Sequence, residues 1–240
     1  EPLRHAWQGA EQRGKATGVV TSVQFSHATP AAFVAHNKSR NNYAEIAREM
    51  IMESAVDVII GCGHPCYNRD GVELDKPKNF NYVGGEDVWQ ALVDGTAGAD
   101  ADGDGKPDSW TLVQTRKEFQ SLSSGETPKR LCGVVQVEKT LQQRRSGDGN
   151  AAPFAVPLLK TMPNLAELSQ AALNVLDDDP DGFCLMIEGG AVDWASHDNQ
   201  SGRMVEEQID FNRAVETVVE WVETHSSWDE TLVIVTSDHE

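Results

Sequence analysis

Apolar residues along the chain fall into short β-rich runs separated by stretches of helical period. Gly18-Val-Val-Thr-Ser-Val-Gln-Phe25, Ala55-Val-Asp-Val-Ile-Ile-Gly61, Arg130 to Val137 and Phe183-Cys-Leu-Met-Ile187 predict buried strands. Trp110 to Gln114 predicts a further strand, and Thr231-Leu-Val-Ile-Val-Thr236 a last buried one. Between them lie helical patterns over Ala31 to His36, opened by Pro30 in the first turn, and over Asn42 to Met52, Asp87 to Val93 and Asn164 to Leu176. The longest runs from Gly202 to Glu223. There Val205, Ile209, Phe211, Val215, Val218, Val219 and Val222 form an apolar stripe that leaves Glu206, Glu207, Glu216 and Glu220 outside. Such alternation predicts an α/β fold, a mostly parallel, doubly wound sheet with helices on both faces.

The 240 residues suffice for a single α/β domain over positions 1–240, without internal repeats. Residues 62–86 and 95–130 read as loops or insertions, and 142–150 as a polar connection. No apolar run is long enough to span a bilayer, and no leader pattern opens the chain. A formal net charge of -18 argues against nucleic acid as a partner, because the two would repel at long range. Of the four cysteines, Cys132 and Cys184 lie inside apolar runs and read as buried thiols. Cys62 and Cys66 flank a turn and are either a short disulfide or two unpaired thiols; a zinc site with His64 lacks a fourth ligand.

In open α/β sheets, ligands sit beyond the carboxyl ends of the strands. Beyond Phe25 stand Ser26, His27 and Thr29; beyond Ile187 stand Glu188, Asp193 and His197; beyond Val235 stand Asp238 and His239. Carboxylates with imidazoles suit zinc, and carboxylate with hydroxyl suits magnesium. Asp193 and His197 are four apart, so a helical turn would aim both at one ion. Each pair alone is more often a solvated turn or a helix-face neighbour. Their convergence at three strand ends is what suggests a site. A separate run places Asp100, Asp102, Asp104 and Asp108 at the first, third, fifth and ninth positions of a loop with Gly105 sixth. That is the front half of a calcium loop, with Thr111 where the bidentate Glu belongs; the other reading is a solvated acidic turn.

Three segments resemble the alkaline phosphatase family: His27-Ala-Thr-Pro-Ala-Ala32 continuing to Ser39-Arg40, Ile187-Glu-Gly-Gly-Ala-Val-Asp-Trp-Ala-Ser-His-Asp198, and Leu232-Val-Ile-Val-Thr-Ser-Asp-His-Glu240. The resemblance implies hydrolysis of phosphate monoesters through a phosphoserine, at a site of two Zn2+ and one Mg2+. Thr29 and Glu188 would bind magnesium, Asp193 and His197 the first zinc, Asp238 and His239 the second. Arg40 would clamp the phosphate with its planar fork. His27 and Trp194 would lie just behind the metals. A periplasmic or extracellular setting and a homodimer are also implied.

The family's serine nucleophile precedes the stretch matched here, and a histidine ligand of the first zinc follows it. The expectation is therefore a fragment cut at both ends and inactive alone. Two other readings stay open: a different ester hydrolase of the same superfamily, and a non-catalytic metal-binding relative.

Overall fold

The computed structural model describes residues 3–239. In chain order it contains α1 (Ala6–Glu11), β1 (Ala16–Gln24), α2 (Ala28–Val34), α3 (Tyr43–Met52), β2 (Val58–Cys62), a 3-10 turn (Asn81–Val83) and α4 (Glu86–Val93). There follow β3 (Gly98–Ala99), β4 (Asp108–Ser109), β5 (Thr111–Val113), α5 (Arg116–Leu122) and β6 (Leu131–Val134). The chain continues with α6 (Leu165–Leu176), β7 (Phe183–Glu188), α7 (Ala191–His197) and α8 (Ser201–His225).

Five strands form a wholly parallel sheet in the order β5-β6-β2-β1-β7, and β3 with β4 makes a small antiparallel pair. Successive residues alternate between faces, as the pleat requires. Val20, Val58 and Ile60 join Leu165, Leu168 and Ala172 of α6 on one side. Val19 and Ile59 join Ile46, Met50 and Ile51 of α3 and Val88 and Leu92 of α4 on the other. Being covered on both faces, β1 is buried at every position. This is the α/β sandwich that the hydrophobic pattern predicts.

The connections are held locally. Asn164 and Glu167 close a capping box on α6, and Thr115 and Glu118 another on α5. Arg130 is fully buried yet satisfied: its guanidinium stacks 3.8 Å over the Trp110 ring and donates to the carbonyls of Ser54, Val56 and Asp108. It ties β6 to the segments leading into β2 and β5.

Several expectations need correction. Among the described residues, 231–236 form no sheet strand, and Leu232, Ile234 and Val235 are exposed by 81, 73 and 58%. Only Val233 packs, against the small cluster of Leu173, Trp221 and Val222. A strand needs a ladder partner, and the neighbouring β7 is a half-buried edge strand bonded to β1 alone. The stripe on α8 is also shifted. Glu206 and Glu207 are buried and Val205 is exposed, because the N-terminal half of α8 packs on the polar 142–157 loop. Arg145 pairs with Glu206 at 2.7 Å, and Arg203 donates to the carbonyl of Gln143. The 95–130 region holds the helix α5, and α1 precedes the first strand. Cys184 is half-buried instead of buried. Cys62 and Cys66 are unbridged, with the Cys62 thiol buried and donating to the carbonyl of Ser22.

Candidate metal centre

The chain goes from β1 to β2, out to the edge strand β5 and back to β6, then crosses to place β7 on the opposite side of β1. The sheet therefore has a topological switch point at the carboxyl ends of β1 and β7, where a crevice must open. The two strands run in register from Ala16 opposite Phe183 to Thr21 opposite Glu188. At that last pair the Thr21 hydroxyl donates to the Glu188 carboxylate at 2.5 Å. The Thr29 hydroxyl at the start of α2 bonds the same carboxylate. Burial pushes Glu188 above the usual carboxylate range, and the charges of Asp238 and Asp193 push the same way against these two hydroxyls.

Gly189 and Gly190 follow. Gly190 has ordinary helical backbone, so a turn is not why glycine is needed. A Cβ on Gly190 would stand about 2.9 Å from the Glu188 carboxyl carbon, and one on Gly189 about 2.9 Å from the Phe211 ring. The two glycines make room for the carboxylate and for α8. The backbone N–H of Ala191 then donates to the Ser22 hydroxyl, anchoring α7 to β1.

On α7 the four-residue spacing does what a helical turn dictates. His197 Nε2 lies 3.4 Å from Asp193 Oδ1, and His239 Nε2 lies 3.5 Å from the same oxygen. Asp238 Oδ1 is 3.8 Å from His239 Nε2. Donor atoms held at zinc distances on a tetrahedron stand roughly 3.3–3.6 Å apart, so the two separations from Asp193 suit such an edge, whereas the Asp238–His239 separation is longer. Among the described residues no lysine or arginine comes within ion-pair distance of Glu188, Asp193 or Asp238. Three clustered carboxylates with only imidazoles beside them are a field that favours a cation. The oxygen pair Thr29 and Glu188 suits magnesium, and the mixed set Asp193, His197, Asp238 and His239 suits zinc. The donor types present fit both ions, with Asp193 within 3.5 Å of two imidazoles.

Arg40 is exposed after α2, close enough to His27 to depress its pKa. Burial is the larger cause, and together they bring His27 down to about 4, leaving a neutral ring at physiological pH. Trp194 lies against His27 with ring centroids 4.9 Å apart. Sequence reasoning missed Thr21, which only the strand register reveals. It also missed Arg144, whose guanidinium pairs with Asp198 at 2.6 Å and sits 5.7 Å from the Trp194 ring. Arg144 comes from a polar loop with no pattern to mark it.

The acidic loop is remote in sequence from these strand ends. Asp100, Asp102 and Asp108 bring carboxylate oxygens within 4.8 Å of one another, and among the described residues this is the only trio of potential ligands so close. Asp104 is left out and pairs with Lys106. Lys129 already places its ammonium 2.9 Å from Asp102 and 2.6 Å from Asp108, and these bonds hold both carboxyls below their usual range.

The sequence pattern of the alkaline phosphatase family matches residues 4–240. The chain is 29% identical over 242 residues to alkaline phosphatase 4 of Bacillus subtilis, covering 99% of this chain and 42% of that protein. It is likewise 29% identical over 252 residues to the repressible alkaline phosphatase of Saccharomyces cerevisiae, covering 100% of this chain and 40% of the relative. It thus spans about two fifths of the length of these curated relatives. A crystal structure of a cold-active alkaline phosphatase from a Shewanella species matches 94% of this chain and 44% of its own, with TM-score 0.65 and 29% identity. The Thermus thermophilus alkaline phosphatase structure, at 24% identity and TM-score 0.65 over 93% of this chain and 40% of its own, shares the fold. A match along nearly the whole chain, on a parallel sheet with acidic and imidazole groups at its switch point, places this chain in the alkaline phosphatase family.

Proposed function

We propose that the protein hydrolyses phosphate monoesters, and that this chain supplies most of its metal site and its phosphate clamp. The observation that carries this reading is Asp193, 3.4 and 3.5 Å from two imidazoles and beside the paired oxygens of Thr29 and Glu188. In our reading Asp193 and His197 hold one zinc, Asp238 and His239 a second, and Thr29 and Glu188 a magnesium. When bound, the ions supply Lewis-acid charge at the attacking and leaving oxygens.

The chain's own residues do the rest. Arg40, exposed at the rim, binds two non-bridging oxygens and offsets charge that grows in the transition state. The β1–β7 ladder fixes Glu188 before substrate arrives, and such preorganisation is what phosphoryl transfer demands of a protein. Thr21 and Thr29 keep Glu188 oriented and biased towards its ionised form. The nucleophile in this reading is a serine upstream of residue 1, phosphorylated and then hydrolysed. An extracytoplasmic setting fits the family; among the described residues no helix is long and apolar enough to cross a membrane.

The test pairs metal analysis with turnover of p-nitrophenyl phosphate by the full-length protein. Asp238→Ala and His239→Ala should each lower bound zinc and cost most of the rate. Normal zinc content and near-normal rate in both would remove the assignment. Sulfate and diester substrates assayed in parallel separate the monoesterase from other ester hydrolases.

The acidic loop is proposed as a weak calcium site in which the ion competes with Lys129. Calorimetric titration should show tighter calcium binding in Lys129→Met than in the parent. Absence of heat in both identifies a solvated acidic turn without calcium affinity.

A further inference from the structure

Four rings from four separate elements meet beside Arg40. His27 caps α2, Tyr43 opens α3 three residues after Arg40, Tyr82 lies in the 3-10 turn and Trp194 on α7. The His27 ring stacks on Tyr43 with centroids 5.0 Å apart and planes 26° apart, and faces Tyr82 at 6.3 Å and 23°. Trp194 closes on the same imidazole at 58°, and Tyr43 meets Tyr82 at 5.0 Å. Arg144, fixed by Asp198, reaches the Trp194 ring and steadies the indole.

Packing alone does not account for this cluster. All four rings are half-buried, in a chain whose true core residues are almost wholly inaccessible. A buried tyrosine hydroxyl or indole N–H normally finds a partner. Among the described residues, neither tyrosine hydroxyl and no Trp194 N–H makes a hydrogen bond within the protein, so the polar tips are left to solvent or ligand. The rings adjoin the phosphate clamp as well as the metal ligands: Tyr43 and Arg40 share one short segment, Arg40 acts electrostatically on His27, and Trp194 follows Asp193 on α7. The surface that adjoins Arg40 through Tyr43 and His27 is aromatic, so the organic half of a phosphate ester seated at Arg40 meets it.

We infer that Tyr43 and Tyr82, backed by His27 and Trp194, form a wall on which a planar leaving group stacks. The protein then prefers phosphate esters of aromatic alcohols over esters of small alkyl alcohols. This rests on the phosphomonoesterase reading and adds a substrate class to it. Offset or tilted stacking between rings adds to what area burial alone supplies, so the preference has a physical source beyond size.

The test uses phosphonates, which bind without being hydrolysed, as competitors of inorganic phosphate on the metal-loaded full-length protein. Phenylphosphonate should bind roughly five- to tenfold more tightly than methylphosphonate, the scale expected of one added ring contact. Tyr43→Leu and Tyr82→Leu should bring that ratio towards one, whereas Tyr43→Phe and Tyr82→Phe should keep it. A merely structural loss would weaken both phosphonates together and leave the ratio alone. Equal affinities in the parent, or a ratio unmoved in both leucine variants, overturns the wall. Because the parent comparison needs no variant, misfolding of a substituted protein does not rescue the idea. Inorganic phosphate reports on the underlying site separately, through its loss of affinity in Arg40→Ala. A protein that binds phosphate but shows no phenyl preference overturns the wall alone; one that binds neither overturns both readings.

Discussion

Glu207 is a carboxyl buried near the Cys62 thiol, and burial above all pushes its pKa up to about 8, with repulsion from Asp210 adding to it. A carboxyl raised in the fold is protonated there while it is ionised in the unfolded chain, so unfolding releases a proton. The stability this group contributes is present below about pH 4.5 and is lost as pH climbs towards 8. Glu207→Gln removes that slope. Its melting temperature should match the parent near pH 5 and exceed it by a few degrees at pH 8.5. Parallel curves for the two proteins would show that Glu207 is ionised in the fold. The same residue marks a limit of sequence reading. Its place outside the apolar stripe followed from period alone, and nothing local announced that Arg145 and Gln143 would meet this face of α8. By contrast, the pairing of Asp193 with His197 was legible because a helix fixes which residues share a face.

The connections show which elements carry the most risk. Asn164 caps α6, the helix that covers one face of the sheet, and Asn164→Ala should cost about 1 kcal/mol in denaturant unfolding. Arg130 is a harsher case. Arg130→Ala strips donors from three carbonyls and leaves the Trp110 face bare, so a loss of about 2–4 kcal/mol is expected. An unfolding midpoint unchanged in Arg130→Ala would mean that water replaces it fully. Strand β1 was legible from its β-branched run, Val19, Val20, Thr21 and Val23, although Thr17, Thr21, Ser22 and Gln24 are polar and buried with it. The six residues of α1 and the seven of α5 carry too few apolar positions to declare a period. The segment 231–236 failed for the opposite reason. Its pattern is that of a strand, but a strand is a relation between two segments, and β7 is bonded on one side only.

At the scale of the molecule, that unpaired edge and three exposed aliphatic side chains make a surface that recruits other chains. The 240-residue chain should self-associate with rising concentration in sedimentation velocity, more so in high salt, where repulsion from a net charge of -18 is screened. Leu232→Ser with Ile234→Ser should suppress it. The same sheet gives the proposed metal site a spacing that does not depend on side-chain identity. Neighbouring strands are spaced about 4.8 Å apart by their backbone ladder, whatever side chains they carry. Thr21 and Glu188 face each other across one such gap, and Thr29, Glu188, Asp193 and His197, proposed to hold metal, lie at or just beyond the two strand ends that define it. The parallel ladder is thus a ruler: peptide geometry sets the interval across the switch point, and drift in sequence alters only what is mounted at its ends.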